Sequence, residues 1–303
     1  LSSSSSASSS AASQQAAPAA SAASAAEAVA AVACGWLAKS VRPKRVDSQR
    51  MTHAQWEKTL GAIYAELGGL EAIDGSSWVH TGNGFRSRKD GLRCMHGRAN
   101  PPLVAQAAAI CKLTTKDRFV DVGSGMGNVV LQVAATVGCA AVGVECMDGR
   151  HASAEQLLEY VDAVLEERRF LAPKEPVQLL HASIEDEGTR RAALESGTVL
   201  FVNNAEGIFC ADKAGRDLNA LVAESFLRTK GSGARCLALD TLPALDPFVA
   251  AGAVEATLHE SAPGATSWKE QSQKRQPMYL YRKLSSTWTC DRCGFKDNSV
   301  ASG

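Results

Sequence analysis

Residues 119–133, Phe-Val-Asp-Val-Gly-Ser-Gly-Met-Gly-Asn-Val-Val-Leu-Gln-Val, constrain this chain more than any other stretch. An apolar run through Asp121 flows into Gly123, Gly125 and Gly127, and then into apolar residues at helical spacing. That order describes a buried strand, a tight turn, and a helix whose free N–H groups face the turn. Glycine tolerates positive φ and lets a ligand approach bare backbone, so such a turn is a ready ligand seat. A second apolar run, 141–145, ends in Glu145, twenty-four residues after Asp121. An acid at the tip of a second strand is placed to accept hydrogen bonds from ribose hydroxyls. Strand, glycines, helix and spaced acid together point to an adenosine-containing ligand. The plain alternative is a turn whose glycines serve helix–strand packing alone.

The spacing also separates the adenosine ligands. Dinucleotide sites favour Gly-x-Gly-x-x-Gly, with a pyrophosphate on the helix N-terminus. Here the third glycine arrives one residue early, and the strand carries an acid. Asp121 would repel a phosphate but attract an ammonium or a sulfonium. The pattern suits S-adenosyl-L-methionine better than a nicotinamide cofactor.

The rest of the chain supplies a matching framework. Strands are expected at 118–122, 141–145, 177–181, 199–203 and 235–239, with helices at 127–137, 151–169, 187–195 and 214–229 between them. This alternation predicts a doubly wound, mostly parallel sheet, closed by an antiparallel pair near 254–259 and 278–282. A helical stripe over 54–73 and a short helix from Leu103 to Lys112 precede it. Ligands in such sheets gather at the carboxyl ends of the strands. Asp121, Glu145, His181-Ala182-Ser183 and Asn203-Asn204 all fall there.

Composition narrows the class. The chain has 303 residues and equal numbers of acidic and basic residues, 32 each, so no global field recruits nucleic acid or membrane. Locally, Lys39, Arg42, Lys44 and Arg45 form one basic cluster, and Arg86, Arg88, Lys89 and Arg93 another. Such clusters suit non-specific DNA contact or an acidic partner, or they are solvated loops. Nine cysteines without secreted-domain spacing fit a reducing compartment. No run of eighteen strongly apolar residues suggests a membrane span. Six scattered histidines show no triad or metal spacing. The first 26 residues, almost wholly Ser and Ala, read as a disordered tail; their lack of acids leaves organelle targeting open. Starting on Leu, the chain reads as a fragment or a processed product. The expected organisation is a low-complexity tail with a basic end over 1–45, a helical region with a closing loop over 46–115, a cofactor-binding catalytic domain over 116–285, and part of a zinc finger, cut short, over 286–303.

Phe201-Val202-Asn203-Asn204, taken with the Asp121–Ala135 stretch, resembles the disruptor-of-telomeric-silencing ("Dot-one") family, the histone H3 lysine methyltransferases that lack a SET domain. Gly97 with Leu103-Val104-Ala105-Gln106 is similar to that family's cofactor-closing loop. Ser267-Trp268 and Met278-Tyr279-Leu280-Tyr281 are similar to its closing strands, and the likeness covers roughly residues 90–285. The resemblance implies a class I methyltransferase (Rossmann-like) fold, S-adenosyl-L-methionine as cofactor, a histone in the nucleosome as partner, and residence in the nucleus. It implies cofactor contacts from His96, Gly97, Arg98 and Ala99 of the loop. The strand would add Phe119, Val120, Asp121 and Val122. The turn would add Gly123, Ser124, Gly125, Met126, Gly127 and Asn128. Glu145 would hold the ribose, and Ser183 and Ile184 would flank the adenine. Asn203 would lie near the methyl and the incoming lysine, with Tyr279 and Trp268 in the channel wall.

The chain departs from that family in three places. The loop reads His96-Gly97-Arg98-Ala99 where the family has Tyr-Gly-Glu-Thr, reversing one charge beside the methionine end. Ser183 stands where the family has an acid beside the adenine; Glu185 or Asp186 are the substitutes within reach. After Asn204 comes Ala205-Glu206-Gly207-Ile208-Phe209 instead of immediate aromatics, a partial loss of apolar wall. Two rivals share the pattern: transfer of the methyl to a non-histone acceptor, and a cofactor-binding protein without turnover. Cys290 and Cys293, after Trp288, resemble half of a Ran-binding-protein-type zinc finger; they are two of the four ligands a structural zinc needs.

Overall fold

The computed structural model describes residues 49–67, 98–211, 215–266 and 274–284, all within one unit, Val46–Gly303. Seven strands form one sheet in the order β3-β2-β1-β4-β5-β7-β6. They are β1 (Arg118–Val122), β2 (Ala140–Glu145), β3 (Gln178–His181), β4 (Val199–Val202), β5 (Arg235–Ala238), β6 (Val254–Glu260) and β7 (Pro277–Lys283). The first five run parallel, and β7 pairs antiparallel with both β5 and β6. The expected mostly parallel, doubly wound sheet with an antiparallel C-terminal pair is what forms. The strand order turns between β1 and β4, which places a crevice at their carboxyl ends.

Two apolar layers sandwich the sheet because side chains alternate along each strand. On β1, Val120 and Val122 enter one core with Val222 and Phe226 of helix α6 (Leu218–Arg228). Phe119 enters the other, with Leu103 and Val104 of α2 (Pro101–Ile110) and Val129 and Val133 of α3 (Asn128–Thr136). Eight of the nine α3 residues are buried, since α1 (His53–Glu66), α2, α4 (Asp148–Glu167) and the sheet surround it.

The ends of the elements shift from expectation for local reasons. Helix α2 begins at Pro101, ahead of the expected Leu103, because proline is preorganised for the first helical turn. Helix α6 begins at Leu218 instead of residue 214, where Asp217 caps it by accepting from the Ala220 N–H at 3.2 Å. The helix expected at 187–195 is a short α-helical turn, α5 (Glu187–Thr189), capped by Asp186 and continuing as a π-helical turn over Arg190–Leu194. Strand β4 stops at Val202, one residue early, which frees Asn203 from the ladder.

The amino edge of the sheet is bolted by a polar cluster. Asp117 accepts from Thr198 Oγ1 at 2.9 Å and from the Thr114 N–H at 2.8 Å, and it pairs with Arg235. The opposite, carboxyl edge is left to the site.

Candidate functional site

A cavity of about 360 Å³ opens at the carboxyl ends of β1 to β4. Its floor is the glycine turn. Gly123, Gly125 and Gly127 all take positive φ, +74°, +55° and +77°, which L side chains rarely adopt. A Cβ on Gly127 would come within 3.2 Å of Ala154 on α4, so the turn also sets how closely the two helices approach. The N–H groups of Gly123 and Ser124 both donate to the Val144 carbonyl at 2.9 Å, tying the turn to β2.

Two buried acids face this floor, at 3% exposure for Asp121 and 5% for Glu145. Glu145 accepts from the Gly125 N–H at 2.8 Å and the Met147 N–H at 2.9 Å, one bond to each carboxylate oxygen. An ionised carboxylate has about four lone-pair sites, so two remain for a ligand's hydroxyl pair. Asp121 Oδ2 has no hydrogen-bond partner among the described residues. Burial, and then the Glu145 charge, push the Asp121 carboxyl up to about 8, against a single opposing bond from the Val130 N–H.

The remaining walls come from four separate segments. Ser183, Ile184 and Glu185 follow β3. Ser183 Oγ accepts from the Glu185 N–H at 3.1 Å, which bends the chain there. Phe201 and Asn203 come from β4 and the residue beyond it, and Ala99 from the segment ahead of α2. Asn128 donates from Nδ2 to the Ala99 carbonyl at 3.0 Å, and Ala99 bridges Thr266, so that segment is held to the start of α3. Ile208, Phe209, Arg216 and Leu218 close the far side.

The structure therefore brings Ala99, Asp121, Gly123, Ser124, Gly125, Asn128, Glu145, Ser183, Ile184 and Asn203 to one cavity. It does not bring all the expected residues. Val120 and Val122 point to the opposite face of the sheet, and Phe119 packs at 6.4 Å against the Phe201 ring, deeper than the cavity. Met126 is buried below the turn, and Gly127 faces Ala154. Arg98 is half-buried beside the site without lining it. Tyr279 pairs with Ala238, which pairs with Val202, so it stands on the same sheet edge two strands from β4 and outside the cavity. His96, Gly97, Trp268, Cys290, Cys293 and both basic clusters lie outside the described residues. Among the described residues no group of His, Cys, Asp and Glu could hold a metal, and no helix is long and apolar enough to cross a membrane.

The apolar loss expected after Asn204 does not reach the cavity. Glu206 and Gly207 take consecutive positive φ values, +58° and +73°, and the reversed chain carries Ile208 and Phe209 into the wall. A Cβ on Gly123 would lie 3.4 Å from the Phe209 ring. The two asparagines also divide. Asn203 lines the cavity, whereas Asn204 is 0% exposed and ties three segments together. It donates to Asn219 Oδ1 at 2.9 Å and accepts from the Asp240 N–H at 2.8 Å. Of the two acids that might replace the family's, Asp186 is committed to capping α5 through the Thr189 N–H at 2.6 Å. Glu185 lines the wall and pairs with Arg216 at 3.4 Å.

A family model described as histone methylation protein DOT1 matches residues 79–261. Similar curated proteins include histone-lysine N-methyltransferases described as specific for lysine 79 of histone H3. That of Yarrowia lipolytica is 29% identical over 110 residues, covering 36% of this chain and 22% of the relative. That of Gibberella zeae is 31% identical over 119 residues, covering 38% and 23%. That of Dictyostelium discoideum is 24% identical over 148 residues, covering 49% and 8%. The chain thus matches less than a quarter of the length of each. Among solved structures, a precorrin-6y C5,15-methyltransferase from Geobacter metallireducens aligns with a TM-score of 0.41 at 15% identity, over 62% of this chain and 90% of that one. An RNA methyltransferase from Salinibacter ruber with bound S-adenosyl-L-homocysteine gives 0.33 at 17%, over 45% and 73%. Likenesses at this level carry no weight for function.

Proposed function

Because this chain belongs to the DOT1 histone methylation family, we propose that its cavity holds S-adenosyl-L-methionine and that the protein methylates a lysine side chain, with histone H3 in the nucleosome as the acceptor. The observation that carries this reading is the Asp121 carboxyl, buried and with one oxygen left without a partner at the floor of a cavity built on bare glycine backbone. Such a group is costly unless a cation meets it. The amino-acid end of the cofactor carries one, and a pyrophosphate carries none.

The other residues fit the rest of the group. Glu145 keeps two lone-pair sites for the two ribose hydroxyls, and Ser183, Ile184 and Glu185 flank the purine. When bound, the cofactor supplies an electrophilic methyl group for in-line displacement, a reaction that calls for no metal. What the protein must supply is a neutral amine held in line. At pH 7 a lysine with the ordinary pKa of about 10.4 costs roughly 4–5 kcal/mol to deprotonate. Apolar walls such as Phe201, Ile208 and Phe209 disfavour the ammonium and lower that cost. Positioning supplies more, since aligned reactants gain on the order of 7–11 kcal/mol. Asn203 orients the amine instead of abstracting its proton, and no general base is assigned.

The location implied is chromatin, and the basic clusters at 39–45 and 86–93 suit phosphate contact there. The test is transfer of a labelled methyl group to intact nucleosomes and, separately, to free histones. Label on H3 supports the assignment. Label only on other proteins moves the substrate, and binding without transfer leaves a non-catalytic module.

A further inference from the structure

Two segments far apart in sequence meet behind the Ala99 wall of the cavity, and one residue joins them. Asn100 stands at the N-cap of α2, yet its side chain makes no capping bond. Pro102, at the second helical position, has no N–H to offer, and the Leu103 N–H already donates to the Asn100 carbonyl at 2.9 Å. The side chain is turned to another use. Its Nδ2 donates to the Gly264 carbonyl at 3.1 Å, and the Asn100 backbone N–H donates to the Ala265 carbonyl at 3.0 Å. Gly264 takes φ +68° in the turn that brings both carbonyls to one residue. Ala99 bridges Thr266 beside them. Ala99, Ala265 and Thr266 are all buried, so water does not compete for these bonds. Further along α2, Gln106 donates to the Glu260 carbonyl at 2.8 Å and accepts from the Ala262 N–H at 3.3 Å. Residues 260–266 are thus fastened to residues 99–106 at both ends.

The two sides of this joint face different parts of the reaction. Ala99 lines the cavity and is held there by Asn128, another lining residue. Residues 260–266 leave β6 at the carboxyl edge of the sheet, the edge where Asn203 follows β4. Their base is locked to β5. Ser261 and Gln276 exchange two bonds, at 2.9 and 2.8 Å, and Gln276 Nε2 donates to the Leu239 carbonyl at 2.6 Å. With Glu145 on the ribose and Ser183 and Ile184 on the purine, the cofactor fills the β1–β3 side. An acceptor then reaches the methyl past β4 and β5, along the rim that residues 261–266 build. We propose that Asn100 is a positioning residue that couples cofactor to acceptor: it holds this acceptor-side rim against the cofactor-side wall, so each ligand tightens the binding of the other. Asn100 itself does not line the cavity. Cofactor contact fixes Ala99, the joint at Asn100 fixes residues 264–266, and the acceptor meets a rim already set. The inference rests on the cofactor reading above and adds an energetic link between the two ligands, which is reciprocal by necessity.

The test is nucleosome binding by the full chain, with and without saturating S-adenosyl-L-homocysteine, for the parent and for Asn100→Asp. The substitution keeps the size of the side chain and removes its donor. The expected result is nucleosome binding at least about fivefold tighter in the parent when the ligand is present, the lower end of the usual range for coupled sites. In Asn100→Asp that factor falls towards one, while S-adenosyl-L-homocysteine alone binds the variant as it binds the parent. In turnover the variant raises the KM for nucleosomes and leaves kcat nearly unchanged, a split that a general loss of fold would not produce. Should Asn100→Asp fail to fold, Asn100→Ala, which adds no charge, takes its place. A parent whose nucleosome affinity ignores the ligand, or a folded variant that keeps the whole factor, overturns the inference and leaves the cofactor reading standing. A parent that binds no S-adenosyl-L-homocysteine overturns both, and one that binds it but no nucleosome overturns the acceptor reading together with the inference.

Discussion

The Arg190 guanidinium donates to the Ile184 carbonyl at 2.8 Å, from behind the cavity wall that Ile184 forms. The same nitrogen reaches the Glu185 carbonyl at 2.9 Å. Arg190 opens the π-helical turn, and a widened turn is a common way of aiming one side chain at a functional segment. The wall is thus held by a cation that never faces the cavity. Arg190→Met leaves two carbonyls without their donor, at a cost of about 1–3 kcal/mol. We expect lower melting temperature together with weaker S-adenosyl-L-homocysteine binding by the folded protein, and partial rescue of both by Arg190→Lys. Unchanged affinity in the folded variant would limit Arg190 to stability.

The neighbouring asparagines should separate cleanly by assay. Asn204→Ala removes buried bonds to Asn219 and Asp240, and each orphaned group costs about 1–3 kcal/mol. The loss appears in thermal unfolding. Asn203→Ala should cost less in unfolding than Asn204→Ala and slow methyl transfer by about 10²-fold, the scale of a misplaced reactant. Equal thermal losses for the two variants would contradict the division.

Much of this arrangement was legible from residue pattern alone, and the gaps have physical causes. Apolar runs located β1, β2, β4 and β5 because burial on both faces of the sheet enforces them. Asp121, Glu145 and Asn203 were readable as polar residues interrupting apolar runs at strand ends. The wider group Phe119, Val120, Val122 and Met126 was not separable from them by resemblance: alternation turns Val120 and Val122 to the other face, whereas Phe119 shares the face of Asp121 but packs deeper, and Met126 is buried below the turn. Phe209 and Arg216 gave no local signal. The placement of Phe209 depends on Glu206 and Gly207 both turning left-handed, and Glu at positive φ is rare enough that no sequence rule anticipates it. Arg190 was equally silent, being one arginine among several on a charged helix.

Glu206 offers a test of that turn. A non-glycine residue at φ +58° carries about 1 kcal/mol of strain. Glu206→Gly should relieve the strain, offset in part by greater unfolded-state freedom, and leave stability within a few tenths of a kcal/mol of the parent or above it. Gly207→Val, forced to the same hand at φ +73°, should destabilise by more than 1 kcal/mol and weaken ligand binding by moving Phe209. Chemical denaturation of both variants checks the sign.

A pH dependence is built into the docking of α1. His53 Nδ1 lies 3.3 Å from Gln132 Nε2, which also donates to the Pro101 carbonyl at 2.9 Å. The amide nitrogen can only donate, so Nδ1 must accept, and burial lowers the His53 pKa. The unfolded chain therefore binds more protons than the folded one as pH falls below 6.5, the ordinary value. Stability is present above that pH and declines below it. Urea unfolding across this window should show the decline in the parent and a flatter profile in His53→Gln.

Asp121 has the opposite sign. Its carboxyl rises from an ordinary 3.8 to about 8, so the folded protein holds the extra proton and ligand-free stability falls as pH climbs through that interval. Asp121→Asn should unfold at a higher temperature than the parent near pH 8 while binding cofactor worse, a trade of stability for function. A variant less stable than the parent at that pH would show that the carboxyl is not strained there.

The central claim is that this cavity holds a cationic adenosine thioether with Glu145 on its ribose. Equilibrium dialysis of S-adenosyl-L-methionine and of NAD against the parent and Glu145→Ala tests it most directly. The account predicts retention of the first ligand by the parent, marked loss in Glu145→Ala, and no retention of NAD. Retention of NAD alone, or full affinity in Glu145→Ala, would contradict it.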